Sequence, residues 1–293
     1  MLYEGYMSFN QYQTYYRIIK PAHSTKTPLV MLHGGPGSTH NYFEIFDEFA
    51  QKYKQPIIMY DQIGCGNSSI PNDPSIYNRQ TWLKELDALI KHLQLSSFHL
   101  LGQSFGGMLA IMYLCDYQPT NVKSVILSST LSDANLWGQE QQRMIKELPL
   151  NLQQAIALAQ ETGDFTSSEY LKANEEFMLR HCAPHFTKND PEPLWRPKKS
   201  GTLAYQTAWG PNEYSPLGNL ADYNYTAKLH QIKIPSLIIS GTDDLCTPLV
   251  AKTMFDNLPD AKWELFANCR HMPFVENYPK YCQILADWLN EYN

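Results

Sequence analysis

The stretch from Phe98 to Tyr113 restricts this chain more than any other. Phe98-His99-Leu100-Leu101 is a short, largely apolar run of strand length. Met108, Leu109, Met112 and Tyr113 repeat with helical spacing further on. Between them lies Gly102-Gln103-Ser104-Phe105-Gly106-Gly107. A strand that turns this sharply into a helix brings two backbones into close approach, where a side chain at Gly102 or Gly106 would clash. The serine then sits at the tip of a strained turn with its hydroxyl presented outward. With glycine at about 7% of residues, a Gly-x-Ser-x-Gly pattern arises by chance in roughly one chain in ten of this length. The flanking strand and helix give it weight.

The 293 residues are 43% hydrophobic and 18% charged, a composition suited to one large α/β domain or one domain with an insertion. The net charge of −6 comes without a long basic run or basic–aromatic stripe, which argues against a nucleic-acid partner. Mild acidity favours a cationic ligand only weakly. The six cysteines (65, 115, 182, 246, 269 and 282) form no C-x-x-C pair or ligand-spaced cluster, and read as buried free thiols. No secretory signal and no apolar run of about 18 residues is visible, so the expectation is a cytoplasmic protein without membrane insertion. Peripheral association with the cell envelope stays open, as does the oligomeric state.

Strands and helices alternate through the first part of the chain. Tyr6 to Ile19 reads as two antiparallel strands at a sheet edge. Leu29 to Leu32, Ile57 to Tyr60, Phe98 to Leu101 and Val122 to Ser128 read as buried strands. Tyr42 to Ala50 and Trp82 to Leu93 read as helices, the second with Trp82, Leu86, Leu89, Ile90 and Leu93 on one face. The alternation predicts a mostly parallel twisted sheet with helices on both faces. From Asp133 to about His230 no buried strand is apparent. Helical stretches Gln139–Leu148, Leu152–Glu161 and Ser167–His181 give way there to a proline-rich connection. The expected organisation is a core in two parts, residues 1–131 and 231–293, with a helical cap of residues 132–230 over the sheet's C-terminal edge. Sheet character returns at Ile234 to Ser240 and Lys262 to Phe266, and Tyr278 to Tyr292 reads as a packing helix.

A serine nucleophile needs a base, and the base needs an orienting acid. Where the serine sits on a strand-to-helix elbow, the chain order is serine, acid, histidine. His271 lies in a loop between the last strand candidate and the last helix, which makes it the candidate base. Gly241-Thr242-Asp243-Asp244 follows a strand and offers two acids. Asp244 is preferred, because Gly241, Asp244 and Pro248 match the acid turn of many α/β-hydrolases, and Asp243 is the alternative. The developing oxyanion needs two N–H donors. They are expected from Phe105, directly after the serine, and from Gly35 in His33-Gly34-Gly35-Pro36-Gly37, since Pro36 has no N–H. Cys269, two residues before His271, is expected near the pocket wall. No cofactor or metal is expected: there is no H-E-x-x-H, and the histidines lack ligand spacing.

His33 to Gly37, Tyr60-Asp61-Gln62-Ile63-Gly64-Cys65-Gly66-Asn67-Ser68, the Ser104 elbow and Gly210-Pro211-Asn212-Glu213 occur together. In this combination the chain resembles the proline iminopeptidases (prolyl aminopeptidases), serine peptidases of the α/β-hydrolase fold, over essentially its whole length. The resemblance implies release of an N-terminal residue, preferably proline, from short peptides through an acyl-enzyme. It also implies that Glu213, from the cap, grips the substrate's free amino group. One departure is Leu245, where some relatives carry a second glutamate directly after the acid. An amidase or esterase acting on amino-acid amides or esters is the alternative that the same triad would serve.

Overall fold

The computed structural model describes residues 1–293. Eight strands form one sheet in the order β1-β2-β4-β3-β5-β6-β7-β8. They are β1 (Leu2–Phe9), β2 (Tyr12–Ile19), β3 (Leu29–Leu32), β4 (Ile57–Tyr60), β5 (Phe98–Gln103), β6 (Val122–Ser128), β7 (Ser236–Gly241) and β8 (Ala261–Phe266). The first hairpin pairs antiparallel, β2 joins β4 antiparallel, and the rest of the sheet is parallel. This is the architecture expected from the alternating pattern. The leading strand begins at Leu2, earlier than the sequence suggested; its outer residues are exposed, and Leu2 to Gly5 show no in–out alternation that marks a half-buried strand.

Every residue of β3, β4 and β5 is buried, as strands covered on both faces require. Val30, Ile58, Leu100, Val125 and Ile238 enter one apolar core with Trp82, Leu86, Met108 and Met254. Their neighbours Leu29, Ile57, Leu101, Ile126 and Leu237 enter a second core on the opposite face with Phe46, Tyr281, Leu285 and Trp288. Helices α2 (Arg79–His92), α3 (Phe105–Met112) and α9 (Pro248–Asn257) cover the first face. Helices α1 (Asp47–Tyr53) and α11 (Tyr278–Glu291) cover the second. The expected helix at Tyr42–Ala50 is split. A 3₁₀ segment, His40–Phe46, precedes α1.

Between β6 and β7 lie five helices and no strand of the sheet: α4 (Ala134–Ile145), α5 (Leu150–Thr162), α6 (Ser168–His181), α7 (Glu192–Trp195) and α8 (Thr202–Ala208). The one β contact there is an isolated bridge, Asp133 to Asn224. Helix α4 begins five residues before the expected start, because the Asp133 carboxylate caps it by accepting from Asn135 N (2.8 Å) and Leu136 N (3.3 Å). A short helix, α10 (Pro273–Glu276), precedes α11. No helix is long and apolar enough to cross a membrane. The parallel strands all run the same way, so the chain segments after β3, β5, β6, β7 and β8 gather at one edge of the sheet.

Candidate active site

Ser104 joins β5 to α3 with φ 56° and ψ −124°, backbone angles that a non-glycine residue rarely adopts. Packing holds it there. Its N–H donates to Ser128 O (3.0 Å), and its carbonyl accepts from Thr130 Oγ1 (2.6 Å), Gly107 N (2.9 Å) and Met108 N (3.2 Å). A Cβ on Gly102 would overlap the Gly106 carbonyl, and one on Gly106 would overlap the Leu32 carbonyl. The close approach inferred from the glycines is therefore present on both sides of the turn.

His271 and Asp244 meet from the loops after β8 and β7. Asp244 Oδ1 lies 2.7 Å from His271 Nδ1, and the acid is 1% exposed. Three further donors hold the carboxylate: Cys246 N on Oδ1 (2.8 Å), and Ser129 Oγ (2.7 Å) and Gly241 N (3.1 Å) on Oδ2. A carboxylate accepts, so the proton of this contact belongs to Nδ1. That tautomer leaves the Nε2 lone pair for the cavity where Ser104 lies. The imidazole is fixed as well. His271 N donates to His181 O (3.2 Å) and Cys182 O (3.1 Å), its carbonyl accepts from Gln103 Nε2 (3.3 Å), and Trp137 packs edge-on at 5.9 Å. Asp243 is exposed, and its carboxylate meets only Thr242 Oγ1 (3.2 Å). Its backbone supports the loop, donating to Cys269 O (3.0 Å) and accepting from His181 Nδ1 (3.0 Å).

The loop after β3 lines the same cavity through Gly34 to Ser38. Gly34 N donates to Tyr42 Oη (2.6 Å), which donates to Gln103 Oε1 (2.9 Å). The N–H groups of Gly35 and Phe105 have no acceptor in the protein. Beneath the loop, His33 Nε2 accepts from Gln62 N (3.0 Å), so Nδ1 carries the proton and donates to Gly34 O (2.9 Å). Burial pushes the His33 pKa down to about 4, which keeps the ring neutral. His33, Asp61 and Cys65 bring three ligand-type atoms within 4.8 Å, a juxtaposition the sequence spacing did not reveal. All three are occupied internally: Asp61 Oδ1 meets His40 Nδ1 (2.8 Å), and Cys65 Sγ donates to Gln62 O (3.2 Å). The cluster braces the loop.

The cavity measures about 430 Å³. Ser104, His271, Gly35 and Glu213 line it, together with Phe186, Leu194 and Tyr205 from the segment between β6 and β7. Glu213 receives Tyr205 Oη at 2.8 Å on its carboxylate, and its carbonyl accepts from Trp137 Nε1 (2.9 Å) and Trp209 Nε1 (3.2 Å). Burial raises its pKa, against the opposing pull of His271 and Tyr205, and its remaining exposure is toward the cavity. Leu245 is fully buried; its N–H donates to His181 O (3.1 Å), and its carbonyl accepts from Gln141 Nε2 (2.7 Å). The expectation for Cys269 is corrected: it is buried in the second core, among the residues around Phe274 and Tyr281. Cys182, at the end of α6, is the thiol that lines the cavity. Burial pushes that thiol well up, so it is protonated at neutral pH. All six cysteines are free.

Residues 27–278 match the family model of the alpha/beta hydrolase fold. The chain is 59% identical over 291 residues to the proline iminopeptidase of Lactobacillus helveticus (strain DPC 4571), covering 99% of this chain and 98% of that one. Among solved structures it resembles VinJ (TM-score 0.91, 28% identity, 99% of each chain). It also resembles the proline iminopeptidase of Mycobacterium smegmatis (TM-score 0.87, 26% identity, 99% of this chain and 98% of that one). With these matches spanning both the sheet and the segment that carries Glu213, the chain belongs to the proline iminopeptidases, serine-hydrolase relatives built on the α/β-hydrolase fold.

Proposed function

We propose that the protein releases N-terminal proline from short peptides through an acyl-enzyme on Ser104, with His271 as base, Asp244 as its orienting acid and Glu213 as the reader of the substrate's amino end. The observation that carries this reading is the presence, in one cavity, of the elbow serine, a carboxylate-bound histidine and a desolvated glutamate. An exopeptidase must recognise a terminal ammonium. A carboxylate already stripped of water gains most from such a partner, because burial otherwise penalises its charge.

In the first half-reaction Ser104 Oγ attacks the prolyl carbonyl carbon and His271 Nε2 takes the hydroxyl proton. The carbonyl oxygen becomes an oxyanion that accepts from the N–H groups of Gly35 and Phe105, which have no internal acceptor to give up. As the C–N bond breaks, imidazolium Nε2 returns the proton to the leaving amine. Water then attacks the prolyl ester, His271 takes its proton, and Ser104 leaves with that proton as proline is released. Asp244 stays ionised throughout and stabilises the imidazolium.

Residues 132–230 act in this reading as the cap, and residues 1–131 and 231–293 as the two parts of the core. Support comes from the five helices between β6 and β7, and from the lining that this segment adds to the cavity through Cys182, Phe186, Leu194, Lys198, Tyr205 and Glu213. A panel of aminoacyl-naphthylamides tests the proposal. Proline should be released faster than alanine or leucine, and an N-acetylated proline substrate should not be cleaved. Equal turnover of the blocked and free substrates would favour a general amidase or esterase.

A further inference from the structure

Lys198 is the only lysine or arginine that lines the cavity. It is half-buried, yet its ammonium makes no ion pair and no hydrogen bond, whereas the buried Arg17 and the partly buried Arg196 and Arg270 are each paired with a carboxylate. Glu44, the acid nearest in effect, is engaged by His40 (3.3 Å) and by Arg196. Burial and the neighbouring Arg196 both press the Lys198 pKa down, so the ammonium stands in want of an anion.

The position of this charge is defined. Lys198 Nζ sits over the ring of Tyr42, 5.7 Å from its centroid, and the Tyr42 hydroxyl is itself held by Gly34 N and Gln103 Oε1. The chain that follows it is tied to the loops below. Gly66 N donates to Lys199 O (2.8 Å), and Gly201 N donates to Gly37 O (2.7 Å). Lys198 and Glu213 share the cavity without forming an ion pair, and the Glu213 carboxylate is met instead by Tyr205 Oη (2.8 Å). One cavity therefore carries an anionic and a cationic group held apart, an arrangement that matches a zwitterion with separated ends.

We propose that Lys198 is a specificity-determining residue that binds the free C-terminal carboxylate of the peptide being cleaved, while Glu213 binds its amino end. The inference rests on the aminopeptidase reading given above. A cavity of about 430 Å³ suits a small ligand, and a substrate of dipeptide size brings its carboxylate within the enclosure. The carboxylate takes no part in bond making or breaking, so its contact is the same in the ground state and the transition state. The preference it creates should appear in KM and not in kcat.

The test compares Pro-Gly with Pro-Gly amide, which lacks only the terminal charge. The native enzyme should favour Pro-Gly in kcat/KM by about 10-fold, the size of a charge-assisted hydrogen bond. Lys198→Met should bring that ratio close to one through a raised KM for Pro-Gly, Lys198→Arg should keep the preference, and Lys198→Glu should reverse it. A Lys198→Met enzyme that still prefers the free acid, or that loses both substrates in equal proportion, overturns the assignment. Native enzyme that cleaves neither peptide would instead overturn the aminopeptidase reading, so the two failures are distinct.

Discussion

Three of the side chains in the proposed reaction, Ser104, Asp244 and Glu213, can each be tested by a change of a few atoms. Ser104→Ala takes away the nucleophile and leaves the turn intact, since Ser128 and Thr130 hold the Ser104 backbone and not its hydroxyl. A loss of roughly 10⁴-fold or more in kcat is expected at an unchanged melting temperature; a purified variant that retains turnover would rule out the acyl-enzyme. Asp244→Asn reverses the hydrogen-bond demand at Nδ1, because the carboxylate there accepts from four donors. About 10⁴ in kcat is the scale of that loss in a related triad. Asp243→Asn, at the exposed neighbour, should cost little, and a reversed ranking would shift the acid by one residue. Glu213→Gln keeps the size and removes the charge. Measured as a ratio, kcat/KM on a free-amine proline substrate should fall about 10- to 150-fold relative to p-nitrophenyl acetate, which has no ammonium. Equal loss on both would make Glu213 a packing residue. Ser104, Asp244 and His271 were legible as candidates because motif and chain order single them out. Cys182, Lys198 and Tyr205 were not: they lie in a segment without motif or clear periodicity, and only tertiary placement brings them to the cavity.

At the scale of elements, the legible parts were those whose apolar pattern is dictated by burial on both faces. β3 and β4 fall on the expected residues, because continuous apolar runs bounded by polar residues have few other uses in a chain like this, and β6 does so through Val125 to Leu127. Helix α9 was not anticipated, although Pro248 at its first turn and Thr247 as its cap are start signals; the same proline had been assigned to the turn that carries the acid. Helices α7 and α8 are four and seven residues long, too short for periodicity to show, and they interrupt a proline-rich stretch. Two glycines separate these regimes experimentally. Gly102→Ala inserts a methyl group against backbone that has no room to move, so a loss of about 1–3 kcal/mol and a displaced serine are expected. Gly138 lies inside α4, where a Cβ would meet Pro216 Cγ at an ordinary 3.5 Å. Gly138→Ala should therefore stabilise by about 0.4–1 kcal/mol through a less flexible unfolded chain. Thermal melts of the two variants give the comparison. A neutral Gly102→Ala would mean that the elbow relaxes more easily than its contacts indicate.

For the whole molecule, buried titratable groups set how stability depends on pH. Burial raises the Glu85 pKa from 4.5 to about 8, against the hydrogen bonds from Thr14 and Ile63. Burial works against a charged His40, but its contacts with Asp61 and Glu44 outweigh that and lift it from 6.5 to about 9. Between pH 6.5 and 8 the folded protein thus keeps two protons, one on each group, that the unfolded chain releases. Stability falls with rising pH wherever the folded state binds more protons, by roughly 1.4 kcal/mol per pH unit for each proton at most. His33 and His99 act in the opposite sense at lower pH. Burial depresses both from 6.5 to about 4, so between those values the unfolded chain binds more protons and stability rises with pH. The melting temperature should therefore decline from about pH 6.5 to pH 8 and go on declining, less steeply, toward pH 9, where His40 alone still differs. Glu85→Gln removes one of the two protons from the balance and should roughly halve the slope between pH 6.5 and 8. Melts at constant ionic strength across pH 6 to 9 measure both slopes, and a native melting temperature that is flat or rising over that range would show that neither group holds its proton in the fold.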